Sequence, residues 1–171
     1  MPRIPFDDLP DDARLWVFAA HEPLDADAGR RLLGAVEAFL DGWAAHGAPL
    51  TAGCRLLEDR FLLVAVDPAS VPPSGCSVDA LTRLLKAEEA RLGCRVLDHA
   101  PVYFRDEVGR IRRMSRNEFR DAASRGELTP DTPVFDTTLT ALGLLRAGGL
   151  ERAARDSWHG AAFFAGPLRS G

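Results

Sequence analysis

Apolar positions in this chain recur with two different periods, and the alternation between them predicts its elements. Arg14 to Ala20 (RLWVFAA) is apolar on both faces and rich in β-formers, as in a buried strand. Leu32, Leu33, Val36, Phe39, Leu40 and Trp43 then trace one helical stripe. Asp25 or Asp27 can cap that helix. Gly47 and Pro49 are expected to end it, with His46 in its last turn near the negative end of the dipole. Ala52 to Glu58 alternates loosely, and Arg60 to Asp67 (RFLLVAVD) is nearly all apolar, so a hairpin through Glu58-Asp59 is expected. Ser77 is a good N-cap, followed by Asp79 in the first turn and a second stripe of Val78, Leu81, Leu85 and Leu92, which Gly93 ends. A last strand is expected at Arg95 to Leu97.

The resulting order, β-α-β-β-α-β, predicts an α+β fold: a ferredoxin-like βαββαβ sandwich with two helices on one face of an antiparallel sheet. The first and third strands are the most apolar, and such a sheet places them at its centre. Residues 1–100 would form this sandwich. Residues 101–171 are read as a C-terminal α/β extension packing on it. In that extension PVYFR and RIRRM flank Asp106 to Gly109 as a hairpin would. Ser115 to Glu118 matches a capping box, Thr132 to Phe135 suits a short strand, and Leu139 to Ala154 suits a helix interrupted by glycine. The tail, with Trp158, His159, Phe163 and Phe164, is apolar enough to dock.

Composition changes the picture at one point. Among 171 residues with 21 Lys plus Arg, Lys86 is the single lysine. No glycine-rich loop precedes it, so a Walker A site, G-x-x-x-x-G-K-[ST], is excluded, and ATPase function with it. Three cysteines, Cys54, Cys76 and Cys94, without C-x-x-C spacing or a secretion signal, point to a reducing cytoplasm. The four histidines are scattered and show no paired zinc spacing, so neither metal nor cofactor is expected. No apolar run has the roughly 20 residues of a membrane span, so no membrane partner is expected. The formal charge of -4 hides an asymmetry: residues 1–50 carry 4 Arg and 9 acids, whereas residues 101–171 carry 11 Arg and 9 acids.

The candidate chemistry centres on Ser74-Gly75-Cys76-Ser77-Val78-Asp79. There a thiol sits beside backbone N–H groups at a helix N-terminus, where a thiolate or an anion is stabilised. Trp43 and His46 could wall a pocket at this turn. Arg60 and Asp67 bracket the apolar strand. A cysteine nucleophile needs a base, and His159 or His46 could supply one. Arg110, Arg112, Arg113, Arg116 and Arg120 form a basic cluster able to grip phosphates or an acidic partner.

The segments WAAHGAPLTAGCRLLEDRFLLVAVDPASVPPSGCSVDALTRLL and DSWH resemble a family of short, uncharacterised bacterial proteins common in Bacteroidetes. That family shows W-x-x-H-G, R-F-hydrophobic-V-A-V-D, S-G-C-S-[IV]-D and S-W-H. Its members often carry the label "ABC transporter ATPase", for which this chain has neither Walker motif nor signature segment. The resemblance implies that Trp43, His46, Arg60, Asp67, Ser74, Gly75, Cys76, Asp79 and His159 belong to one site. Residues 102–135 also resemble a GYF-type module. The Gly-Pro and Trp positions that such modules use for proline-rich peptides are missing, so peptide binding does not carry over.

The leading expectation is a cytoplasmic module that binds a small anion or a protein partner, leaning away from enzyme activity. Ser77 joins Trp43, Arg60, Asp67, Ser74, Gly75 and Asp79 as its ligand-binding residues. One alternative is a cysteine-dependent enzyme with Cys76 as nucleophile. Another, a minority reading for nucleic acid, is an RNA or acidic-partner binder using the Arg110–Arg120 face. A homodimer stays open by analogy with other ferredoxin-like sheets.

Overall fold

In the computed structural model, which describes residues 3–69 and 71–166, the first apolar run forms strand β1 (Arg14–Ala19). The chain is mixed α+β with antiparallel sheets and divides into two units. One comprises the chain up to His99 with Thr137–Ala147; the other comprises Ala100–Asp136 with the chain from Gly148 onward. Residues 137–147, read from the sequence as part of the extension, therefore lie in the first unit.

In that first unit, helix α1 (Ala26–Asp41) is capped by Asp25, whose carboxylate accepts from the Ala28 N–H at 2.8 Å. It stops at Asp41, about a turn and a half earlier than expected. Strands β2 (Ala44–Ala45) and β3 (Ala48–Pro49) follow as a small hairpin. His46 (φ 51) and Gly47 (φ 77) are its two-residue turn, and left-handed backbone at both central residues suits the twist of the flanking strands. His46 thus sits exposed at a hairpin tip rather than in the last turn of a helix. Trp43 lies beyond the helix end yet stays in phase with its stripe, because both face the same core.

Strands β4 (Ala52–Leu57) and β5 (Phe61–Val66) form the expected hairpin, with Glu58 and Asp59 both at positive φ. The sheet order is β1-β5-β4, and every residue of β5 is buried. On one face Phe18, Leu62 and Val64 meet Leu32, Val36 and Leu40 of α1, and Leu81 and Leu85 of helix α2 (Gly75–Leu92). Each such side chain stabilises the unit by about 1.5–3 kcal/mol relative to exposure.

The expected strand at Arg95–Leu97 does not form, so β1 lies at the sheet's edge rather than its centre. The cause is local. Gly93 ends α2 in left-handed conformation, and the Glu89 carboxylate then accepts the Val96 and Leu97 N–H groups at 2.8 and 3.1 Å. In a strand these two adjacent donors would point to opposite sides, one of them toward its neighbour. The edge of β1 is held at two points instead. The His21 N–H donates to Arg95 O at 2.9 Å, and the Leu15 N–H to Thr140 O at 2.8 Å. Helix α4 (Leu142–Gly148) follows, and its Gly143 N–H donates to Asp11 O at 2.7 Å.

The second unit is a four-stranded antiparallel sheet, β7-β6-β8-β9, built from β6 (Val102–Arg105), β7 (Ile111–Met114), β8 (Pro133–Phe135) and β9 (Glu151–Ala153). Helix α3 (Arg116–Ser124) is capped by Ser115, which accepts from the Glu118 N–H at 3.1 Å. Its Phe119 is fully buried among Val102, Phe104, Leu128 and Val134. The helix expected over Leu139–Ala154 is cut short by Gly148 and Gly149 (φ 74). The residues after them pair with β8 as a strand. Arg105 clamps that strand through a forked ion pair with Glu151, at 2.7 and 2.8 Å.

Candidate functional site

The start of α2 is the turn that the sequence singles out, and it is built by two serines. Ser74, not Ser77, is the N-cap. The Ser77 N–H donates to Ser74 Oγ at 3.1 Å, and the Ser74 N–H donates to Ser77 Oγ at 2.8 Å. This reciprocal box satisfies two backbone donors that a helix end would leave open. Trp43 is buried and donates from Nε1 to the Ser77 carbonyl oxygen at 2.8 Å. Its ring lies 5.5 Å from Phe39 and 6.2 Å from Trp16. Trp43 and Ser77 are therefore braces beneath the turn. Gly75, Cys76 and Asp79 are exposed, and the Gly75 and Cys76 N–H groups have no acceptor among the described residues.

Arg60 is buried, with its guanidinium donating to the carbonyl oxygens of Ala20 (3.1 Å) and His21. It ties the turn before β5 to the end of β1. The Asp67 carboxylate accepts from the Ala69 N–H at 2.9 Å and shapes the loop after β5. Both residues thus hold backbone in place.

His159 belongs to the second unit and Cys76 to the first. The histidine is almost wholly enclosed and stacks on Trp158 with ring centroids 3.9 Å apart. Its Nδ1 is 2.7 Å from Ser157 Oγ. Burial pushes its pKa down to about 4, with Arg116 acting the same way and Asp136 opposing. It is therefore neutral near pH 7. Asp136, itself buried, is a member of this network that sequence reading did not single out; an acid directly after the apolar PVF strand was the available signal.

The arginine cluster lies on this second unit. Arg110, Arg112, Arg113, Arg116 and Arg120 are all exposed. Arg112 stands opposite Phe104 in the β6–β7 register, and so shares the face that α3 covers. Its guanidinium is 3.7 Å from the Asp106 carboxylate. The Cζ of Arg116 lies 5.0 Å from the Trp158 ring centroid, and that of Arg120 lies 5.4 Å from that of Phe163.

Among the described residues no group of three or more His, Cys, Asp or Glu could hold a metal ion, and no helix is long and apolar enough to cross a membrane. A depression of about 290 Å³ beside β4 is lined by Arg3, Ile4, Pro5, Phe6, Glu37 and Cys54. Burial raises the Cys54 thiol pKa to about 12, with Glu37 and Asp41 adding to the effect and Arg3 opposing it. Comparison with protein families, with curated proteins and with solved structures finds no match to this chain.

Proposed function

We propose that the chain is a cytoplasmic binding protein rather than a catalyst, and that its ligand is an anionic partner. The observation that carries this reading is the exposed arginine face of β7 and α3, on a chain whose formal charge is -4. A local positive field on an acidic protein selects partners by sign and position rather than by bulk attraction. Two further observations support it. The Trp43, Arg60, Asp67, Ser74 and Ser77 groups are engaged in holding backbone. Lys86, the single lysine, lies within α2, pairs with Glu89 at 3.3 Å and offers no phosphate loop.

The first unit supports a ferredoxin-like reading as far as strand order β1-β5-β4 and two helices on one face. Placement in the uncharacterised bacterial family is part of the same proposal and rests on the quoted motifs. The test is retention of the intact chain on immobilised polyglutamate and polylysine at low salt. Retention by polyglutamate, released as salt rises, supports the reading. Retention by polylysine alone would show that bulk charge governs and would overturn it.

A second reading is favoured by the exposed Cys76 thiol beside two open N–H groups: a small anion held at the start of α2. Phosphate that slows Cys76 alkylation would support it, and an unchanged rate would oppose it. A Cys76 nucleophile would have to draw on His46, since His159 is enclosed and its Nδ1 engaged by Ser157. Turnover that survives Cys76→Ala would remove that role.

A further inference from the structure

Resting on the reading of an anionic partner, we infer that Arg116 and Arg120 form a two-pronged carboxylate receptor, and that the partner is an acidic polypeptide segment rather than a nucleic acid.

The two residues are four apart on α3, so their side chains rise from one stripe of the helix, about 6 Å apart at Cβ. Each guanidinium lies over an aromatic ring, Arg116 on Trp158 and Arg120 on Phe163. Those rings are fixed from below. Phe163 is 4.9 Å from the fully buried Phe119, and Trp158 stacks on buried His159. A guanidinium lying against a ring keeps its N–H groups at its edge, where they can fork onto a carboxylate. Much of the ordering cost of such a fork is thus met before the partner arrives. The Arg120 fork is steadied further by one bond to Asn117 Oδ1, at 3.1 Å.

Three features favour a polypeptide. Trp158 and Phe163 each carry an arginine over one face, and Trp158 also stacks on His159, which leaves little ring surface for stacking bases. Glu118 and Asp121 are interspersed on α3 and repel a continuous run of phosphates. Discrete carboxylates on a flexible chain can settle on the two forks and avoid those acids.

The experiment measures binding of fluorescein-labelled octaglutamate and octauridylate to the intact chain by anisotropy. Octaglutamate is expected to bind more tightly. The pair Arg116→Lys and Arg120→Lys is expected to weaken it by about tenfold or more although charge is kept, because lysine cannot form the fork. The pair Arg116→Gln and Arg120→Gln should weaken it at least as much. Changing Arg83→Lys and Arg91→Lys on α2 should leave it unchanged. Circular dichroism reports whether each variant is folded; if the glutamine pair unfolds, the lysine pair carries the test. Octaglutamate binding indifferent to the lysine pair overturns the receptor while leaving an anionic partner standing. Tighter binding of octauridylate overturns the choice of a polypeptide. Binding of neither polymer overturns this inference and the reading beneath it.

Discussion

The Trp43 indole N–H donates to the Ser77 carbonyl, joining the second residue past α1 to the first turn of α2 across 34 positions of sequence. The pair fixes where the exposed Cys76 stands. Trp43→Phe removes that bond and part of the ring that packs on Phe39 and Trp16. It is expected to lower stability by about 1–3 kcal/mol, read from the urea midpoint. A midpoint unchanged from the parent would mean that the brace has no structural weight.

The cysteines should separate by reactivity. Cys76 is exposed, whereas burial holds the Cys54 thiol protonated far above neutral pH. Iodoacetamide at mildly alkaline pH is expected to modify Cys76 in the native chain and Cys54 after unfolding. Peptide mapping by mass spectrometry reads the order. Early labelling of Cys54 would contradict a thiol held protonated by partial burial beside Glu37.

Acid should weaken the fold through His159. Its pKa, about 4 when folded, lies below the ordinary 6.5, so the unfolded chain binds a proton that the folded chain refuses. This contribution is complete above pH 6.5 and is lost as pH falls toward 4, reaching about 3 kcal/mol at most. Urea midpoints should fall across that window, and His159→Phe should flatten the slope. A parent chain equally stable at both ends of the window would argue against a buried neutral imidazole.

Gly160 allows the tail to dock. A Cβ there would come within 2.9 Å of the Ala154 carbonyl oxygen and 3.0 Å of Arg155 Cα. Gly160→Ala is expected to displace the tail segment that carries Phe163 and to destabilise the chain by about 1–3 kcal/mol. Faster proteolysis after Phe163 or Phe164 would report it, and an unchanged cleavage rate would oppose it.

Elements whose partners lie on one face were legible in the chain. The stripe from Leu32 to Leu40 is of this kind, and the runs of β1 and β5 were legible for the opposite reason, being apolar on both faces. What escaped was decided by single polar or left-handed residues. Glu89 takes both the Val96 and the Leu97 N–H, a convergence on one carboxylate that extended backbone does not allow. Helix α1 ends at Asp41 although Trp43 keeps the phase of its stripe, and His46 and Gly47 turn left-handed between two short strands instead of closing the helix. At the candidate site, residue type marked the correct turn but not the duty of each residue. Two serines three apart can each cap, and only their reciprocal bonds identify Ser74 as the cap and Ser77 as its partner. Arg60 and Trp43 have the chemistry of binding groups, yet carbonyl oxygens of their own chain occupy their donors. The arginine–ring contacts of α3 join residues about 40 apart, which no local spacing displays.

The return of residues 137–147 to the first unit has a consequence for biogenesis. On a ribosome, β1 emerges long before Thr140, whose carbonyl oxygen accepts the Leu15 N–H. The first unit must wait, its edge unsealed, while the whole β6–β8 segment is synthesised. The second unit waits in turn for β9. Neither unit can be completed before the other has begun, so no single cut of the chain yields two finished pieces. Nascent chains stalled before residue 140 should be the ones that chaperones hold longest.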